Sequence, residues 1–300
     1  MKFVFCANPF NRRLPDIDYQ AEVDAVQKLG FEYFLINYEA LVDENDSIKA
    51  VHRIANQSDS DLAIYRGWML KPNNYKQLFD ALADKGIYLI NNPAAYTHCH
   101  YLPQSYSVIE PYTPKSVWIK TNPNVPIETI MELLHPFGSQ PIIVKDFVKS
   151  RKHEWETACY IPSASDWKSV ESVVSRFIEL QGNELNEGLV FREFVQFEPL
   201  TQHSKSGMPL TKEFRIFFLD GEPIYSVEYW EEGDYQKILP PIEQFCEVAK
   251  VIQSRFFTMD VAKRLDGEWM IIELGDAQVA GLPEKADILG FYNALNQLSK

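Results

Sequence analysis

FFTMDVAKRLDGEWMIIELGD, Phe256 to Asp276, is a run of two apolar arms around Asp266-Gly267, the signature of a β-hairpin with a two-residue turn. Each arm nevertheless carries an acid, Asp260 in the first and Glu273 in the second. A turn at 266–267 pairs residues whose numbers sum to 533, so Leu265 faces Glu268 and Asp260 faces Glu273. A four-residue loop centred on the same dipeptide keeps that register. The alternate face, Phe257, Met259 and Val261 against Met270, Ile272 and Leu274, is the expected core. Carboxylates directly opposed, with Cβ atoms about 5 Å apart, repel each other. Open solvent offsets this, and a hard cation such as Mg2+ does so better, because it takes carboxylate oxygens together with substrate phosphates. Asp276, just past the second arm, is a candidate third ligand. A solvated acidic face is the competing reading.

A second hairpin precedes it: EFRIFFLDGEPIYSVEYW, Glu213 to Trp230, turning at Asp220-Gly221. Its pairs sum to 441, so Glu213 faces Glu228 and Arg215 faces Ser226, with Phe214, Ile216 and Phe218 against Tyr225 and Val227 as core. A second polar strand face is thus expected, either functional or a self-neutralising surface network.

The third feature is PIIVKDFVKSRKH, Pro141 to His153. Lys145 is embedded in an apolar strand, and Lys149, Arg151, Lys152 and His153 follow within eight residues. The chain as a whole has a formal net charge of −13. Against that background, a cation cluster points to a compact polyanion such as a nucleoside triphosphate, with a solvated basic loop as the alternative. The acidic balance, without a second basic stripe or interleaved aromatics, argues against nucleic acid and anionic membrane as partners.

With 300 residues, 46% hydrophobic and 24% charged, the chain can hold two or three subdomains. No apolar run approaches the ~20 residues of a membrane span. MKFVFCANPF reads as a first core strand rather than a secretory signal. Cys6, Cys99, Cys159 and Cys246 are scattered without CxxC spacing, so a reducing, cytoplasmic location is expected. Strands at KFVFC, FEYFLIN, DLAIYRGWML and IYLINNP alternate with helices over Tyr19–Leu29 and Asn73–Lys85, each ending at a Gly. This predicts an α/β unit with a mainly parallel sheet over residues 1–92. Ligands meet such sheets at the strands' C-terminal ends, where Arg12, Arg13 and Arg66 fall. From residue 93 the pattern is α+β: strand SVWIK, helix Ile127–Leu134, strand PIIVKDFV, helix Ser165–Gln181 capped by Ser165 or Asp166, strand GLVFREFV, then the two hairpins with a helix over Pro241–Ser254 between them.

An embedded Lys (PIIVKDF), a cationic loop, a strand ending in alternating acids (GLVFREFVQFEPL) and an Asp…Glu hairpin (FFTMDVA…MIIELGD), in that order, resemble the ATP-grasp superfamily, closest to its R2K clade. The resemblance covers roughly residues 93–300, with 1–92 similar to a pre-ATP-grasp domain. It implies a nucleotide-cradling subdomain over about 141–199 and a metal-binding subdomain over 200–300. It further implies an ATP- and Mg2+-dependent carboxylate–amine ligase, with Mn2+ an alternative metal, working through an acyl-phosphate on small-molecule or peptide substrates. By that resemblance, Lys145 contacts the α- and β-phosphates, and Lys149, Arg151 and Lys152 close over the triphosphate. Glu193 with the backbone of Phe194 and Val195 reads adenine, Glu198 takes the ribose, and Arg215 meets the γ-phosphate. Asp260 and Glu273, with Asp276, hold the metal. Arg12 or Arg66 is the candidate for the acceptor carboxylate. Three departures stand out: KSRKH has no Gly, Gly275 stands where an Asn is usual, and no Lys lies near His98 or His100.

A phosphotransferase on the same scaffold and a non-catalytic nucleotide-binding regulatory protein are the alternatives; the facing acids argue against the latter. His98-Cys99-His100 puts two imidazoles on one side of an expected strand, but without CxxC or HxxH spacing for zinc. RLDG, Arg264–Gly267, lacks the Lys a nucleotidyl-lysine needs and reads as a turn. Trp68, Trp118, Trp155 and Trp230 read as core or cleft packing.

Overall fold

Strands β1 (Lys2–Cys6), β2 (Tyr33–Ile36), β3 (Asp61–Arg66) and β4 (Ile87–Leu89) form an all-parallel sheet in the order β2-β1-β3-β4. The computed structural model describes residues 1–58, 61–121, 124–204 and 207–298. Parallel neighbours require crossovers. These are α1 (Gln20–Lys28), the pair α2 (Tyr38–Val42) and α3 (Ser47–Ala50), and α4 (Pro72–Ala83). Gly30 and Gly86 follow α1 and α4 with φ of 77° and 81°, the left-handed stop expected from the sequence.

The next segment is helical: α5 (Pro93–His100) and α6 (Leu102–Ile109). His98-Cys99-His100 therefore lies in a helix, not a strand. Asn92 caps it by accepting from Ala95 N at 2.9 Å, and Pro93 occupies the first turn, a start signal that outweighs the short alternation. Two helical residues two apart diverge by about 200°, so the imidazoles cannot share a metal.

An antiparallel sheet follows, built from β5 (Ser116–Lys120), β6 (Ile142–Asp146), β7 (Tyr160–Ile161) and β8 (Gly188–Glu193) in the order β5-β8-β6-β7. β5 lies outside the 141–199 stretch expected to build this lobe, yet it pairs along β8 from Ser116 to Lys120. Helices α7 (Ile127–Leu134) and α9 (Trp167–Gln181) cover one face, packing Ile130, Leu134, Val170 and Phe177 onto Ile142, Val144 and Phe191. Asp166 caps α9, accepting from Lys168 N and Ser169 N. Alternation along β6 then sends Ile143 and Lys145 to the opposite face. A short α8 (Trp155–Ala158) leads into β7.

The ribbon β9 (Pro199–Gln202) with β10 (Pro209–Thr211) precedes the last sheet. That sheet comprises β11 (Glu213–Leu219), β12 (Glu222–Glu228), β13 (Phe256–Lys263) and β14 (Trp269–Asp276), ordered β12-β11-β13-β14. One face packs Phe214, Ile216, Phe218, Phe257, Met259 and Val261 against α6 and α10 (Ile242–Ala249). At one end of the other face, Phe217, Leu219 and Phe256 join Phe3, Phe5 and the aromatics of α11 (Ile288–Leu298). The C-terminal helix and the first strand thus share one core. The remaining end of that face carries Glu213, Arg215, Thr258, Asp260 and Glu273. Among the described residues no helix is long and apolar enough to cross a membrane.

Both hairpins depart from simple turn arithmetic, with different consequences. The Asp220-Gly221 turn is the expected two-residue type, both residues having positive φ (51° and 83°) and Leu219 pairing Glu222. A bulge at Ile224 then shifts the register, so Glu228 faces Phe214 and Ser226 faces Ile216. The expected Glu213–Glu228 and Arg215–Ser226 pairs are not formed, and Tyr225 pairs with and packs on Phe217 rather than joining Phe214, Ile216 and Phe218. Pro223 beside the bulge lacks an N–H for the ladder and is tolerated because β12 is an edge strand. In the second hairpin Arg264 N bonds Glu268 O and Gly267 has φ 97°, a three-residue loop rather than two. This puts the strands one out of the expected register, until a bulge at Ile272 restores it: Val261 faces Ile271, but Asp260 faces Glu273. Ile271, not Ile272, therefore enters the core.

Candidate active site

Three adjacent strands align one polar row. Arg215 on β11 lies directly opposite Asp260 on β13, which lies directly opposite Glu273 on β14. Arg215 grips Asp260 with two parallel bonds, Nε to Oδ1 at 2.8 Å and Nη2 to Oδ2 at 2.7 Å. Its Nη1 donates to Gly281 O at 2.9 Å. Lys145, aimed across from β6, pairs with Glu273 Oε1. The row thus sits between the two sheets, each carboxylate matched by one cation. Burial opposes ionisation of Glu273, but Lys145 and Lys152 outweigh it and hold its pKa below the usual range.

The bulge at Ile272 frees carbonyls from the ladder, and Arg192 of β8 satisfies them. Its guanidinium donates to Ile271 O, Ile272 O and Thr113 Oγ1. The Thr113 hydroxyl in turn donates to Ile271 O at 2.7 Å. Arg192 Nε is buried without a hydrogen-bond partner among the described residues. Arg192 in GLVFREF is not among the site residues expected from the sequence; the signal for it is an Arg that alternates inward from a buried strand.

The cleft between the sheets has two halves, about 430 and 400 Å3, which meet at Ile143, Lys152, Arg192 and Ile272. That is room for a nucleotide-sized ligand. One half is polar, lined by Lys145, Lys149, Lys152, Arg215, Asp260 and Glu273. The other is apolar, lined by Trp155, Phe194, Val195, Met208, Leu210 and Trp230, with Glu193 at its edge. The Phe194 N–H already donates to Pro141 O, so that amide is committed within the fold.

The cationic loop is organised by Asp146, which is likewise not among the site residues expected from the sequence. Fully buried, it accepts from Val148 N at 2.7 Å and Lys149 N through Oδ1, and from Gln181 Nε2 and Asn186 Nδ2 through Oδ2. This folds the chain back so that Lys149 and Lys152 reach the cleft. The Lys152 ammonium lies 5.5 Å from the Trp230 ring and 6.0 Å from Tyr229. Burial works against its charge, yet Glu213 and Glu273 raise its pKa. Arg151 turns away and donates to Leu180 O at the end of α9.

Four other expected site residues are not brought into this row. Asp276 is fully buried beyond the row, where Oδ2 accepts from Asn91 Nδ2 at 2.6 Å and Oδ1 from Gln278 N at 3.0 Å. Burial pushes its carboxyl up to about 7, and it ties the first sheet to β14. Arg66, 1% exposed, is bidentate to Glu22 and donates to Ala277 O and Ala280 O, which commits four of its five N–H donors within the fold. Arg12 pairs with Glu39 outside the cleft. Glu198 is held by Lys263 at 2.8 Å and Lys212 at 3.6 Å and lines neither half.

For a divalent cation, the chain offers two opposed carboxylates. Among the described residues no third His, Cys, Asp or Glu joins them. Gly275 lies opposite Thr258, and a Cβ there would meet Thr258 Oγ1 at 2.6 Å. The donor set suits Mg2+, which is commonly held by one or two carboxylates with phosphate oxygens and water.

A family model described as ATP-grasp domain, R2K clade family 3, matches residues 136–295. Among solved structures, the fold is similar to ATP-grasp ligase PsnB complexed with minimal precursor, at 14% identity and a TM-score of 0.59, covering 100% of this chain and 99% of that one. D-cycloserine synthetase DcsG is similar at 12% identity and 0.57, covering all of both chains. D-alanine--D-alanine ligase from Bacillus anthracis complexed with ATP is similar at 13% and 0.57, over 99% and 96%. A search of the curated proteins found no match.

Proposed function

The chain belongs to family 3 of the R2K clade of ATP-grasp domains, and from that premise we propose that it is an ATP- and Mg2+-dependent ligase joining a carboxylate to an amine. The observation that carries this reading is the single cleft whose apolar half opens onto the Arg215–Asp260–Glu273 row and its lysines. A nucleoside triphosphate has that same division, a flat base at one end and a metal-bound polyphosphate at the other.

In this reading the base enters the slot beside Trp155 and Phe194, and the phosphates pass Lys152 and Arg192 toward the row. Lys145 turns from Glu273 to the phosphates, and Lys149 and Lys152 cover them. Asp260 and Glu273 would hold Mg2+, which when bound would supply charge neutralisation for the polyphosphate. Arg215 faces the phosphoryl group in transit; such transfers depend on positioning and charge stabilisation. The acceptor carboxylate oxygen attacks the γ-phosphorus and ADP leaves. The amine attacks the resulting acyl-phosphate carbon, phosphate leaves, and the ammonium proton is lost to solvent. The substrates proposed are a small molecule or a peptide; PsnB, for comparison, is complexed with a minimal precursor.

Calorimetry with AMPPNP, with and without Mg2+, tests the nucleotide reading, and absence of Mg2+-dependent binding defeats it. ADP release driven by a panel of carboxylates tests the chemistry. Product formation that is complete without any amine makes the protein a phosphotransferase instead.

A further inference from the structure

His100 is a titratable group in the polar half of the cleft that this mechanism leaves unused. It ends α5, outside the 136–295 stretch matched by the family model, and is 7% exposed. Its ring is clamped in an aromatic column: 5.0 Å from Tyr96 at an interplanar angle of 28°, and 5.9 Å from Tyr101 at 27°. Tyr96 itself stacks on Tyr75 at 3.9 Å. The orientation is therefore fixed before any ligand arrives.

A buried polar group normally finds a partner. Neither ring nitrogen of His100 has one among the described residues. Nor is either sealed in, as His98 Nε2 is. The ring instead lines the polar half of the cleft with Lys145, Lys149 and Glu273. We propose that His100 is a binding residue of this cleft, its imidazole N–H donating to a phosphate oxygen of the nucleotide. The assignment rests on the nucleotide reading above.

The chemistry suits the position. Burial, with Lys145 and Lys149 nearby, lowers the His100 pKa to about 4 despite Glu273. At neutral pH the ring is uncharged and carries one N–H donor. A further cation would be repelled by the two lysines, whereas a neutral donor adds a hydrogen bond to the phosphate without that repulsion.

The test is binding of AMPPNP, ADP and adenosine to the full chain with Mg2+, by calorimetry and competition. His100→Phe keeps a ring in the column and removes the N–H; His100→Gln keeps a donor. The Phe variant should weaken AMPPNP and ADP by about tenfold, the scale of one hydrogen bond to a charged group, and leave adenosine within twofold. The Gln variant should recover most of that loss. If the Phe variant does not fold, His100→Met carries the same expectation. AMPPNP binding by the donor-less variant within twofold of wild type overturns the assignment, as does an equal loss for adenosine. Absence of AMPPNP binding by the wild-type chain overturns the nucleotide reading, and this assignment with it.

Discussion

Replacing Gly275 with Asn places a side chain where Thr258 already stands. The two are direct partners on β13 and β14. A Cβ at 275 lies 2.6 Å from Thr258 Oγ1, roughly 0.8 Å short of ordinary contact at 3.4 Å. Thr258 is buried and β-branched, so its χ1 has little freedom to yield. Overpacking of this kind costs about 1–3 kcal/mol, a fall in melting temperature of roughly 2–5 °C in a chain of this size. Thr258→Ala removes the obstruction. Its hydroxyl makes only a 3.4 Å bond to Gly275 O, so little else is lost. The double variant should therefore melt above the sum of the singles, with a coupling of about 1–2 kcal/mol. Melting of all four proteins by near-UV circular dichroism measures this. A Gly275→Asn protein that melts within about 1 °C of wild type, or an additive cycle, refutes the steric account. In the same set, Mn2+ binding with ADP should tighten only in the double variant, where an added amide oxygen can stand beside Asp260 and Glu273.

Glu273→Gln should abolish the Mg2+ dependence of nucleotide binding and lower turnover by about 10²–10³-fold while the fold persists; unchanged Mg2+ dependence in calorimetry would remove Glu273 from the metal site. Arg66→Met should act on stability, costing about 3–5 kcal/mol by leaving Glu22 buried without its partner, with KM for the acceptor unchanged; a stable variant with a raised KM would return Arg66 to the substrate. Burial raises the Glu213 carboxyl from 4.5 to about 7. Between those values the folded chain holds a proton that the unfolded chain has lost, so wild-type stability falls as pH rises through the window. Glu213→Gln should therefore gain stability relative to wild type from pH 5 to 7 and level off above; a difference that is flat in melts at pH 5, 6, 7 and 8 would exclude this.

Local rules carried far. Period-two alternation, helix stops at Gly30 and Gly86, and the Asn–Pro and Asp166 caps all act within a few residues. They make the longer strands and helices readable; α5, where capping overrode an apparent alternation, and the short or weakly patterned elements α2, α3, α6, α8, α11, β7, β9 and β10 are not. The embedded Lys145 and its cationic loop are legible because charge in an apolar strand has a cause. The Asp260–Glu273 pair was expected from a two-residue turn. It exists because a three-residue loop and a bulge at Ile272 displace the register in opposite senses.

What the sequence by itself determined is therefore the main strands and helices, the facing carboxylates and the cationic cluster around Lys145. Turn chemistry and side-chain periodicity are properties of neighbours along the chain. Only the tertiary structure decided which strand lies beside β13, and so which cation meets Asp260. It also decided that Arg192 serves the bulge, that Arg66 and Asp276 fasten the first sheet to the last, and that His100 looks into the cleft. Those outcomes depend on contacts between residues up to some 200 positions apart, such as Arg66 with Ala277 and Ala280. In such pairs burial and competition for hydrogen-bond partners, not local propensity, set where a side chain goes.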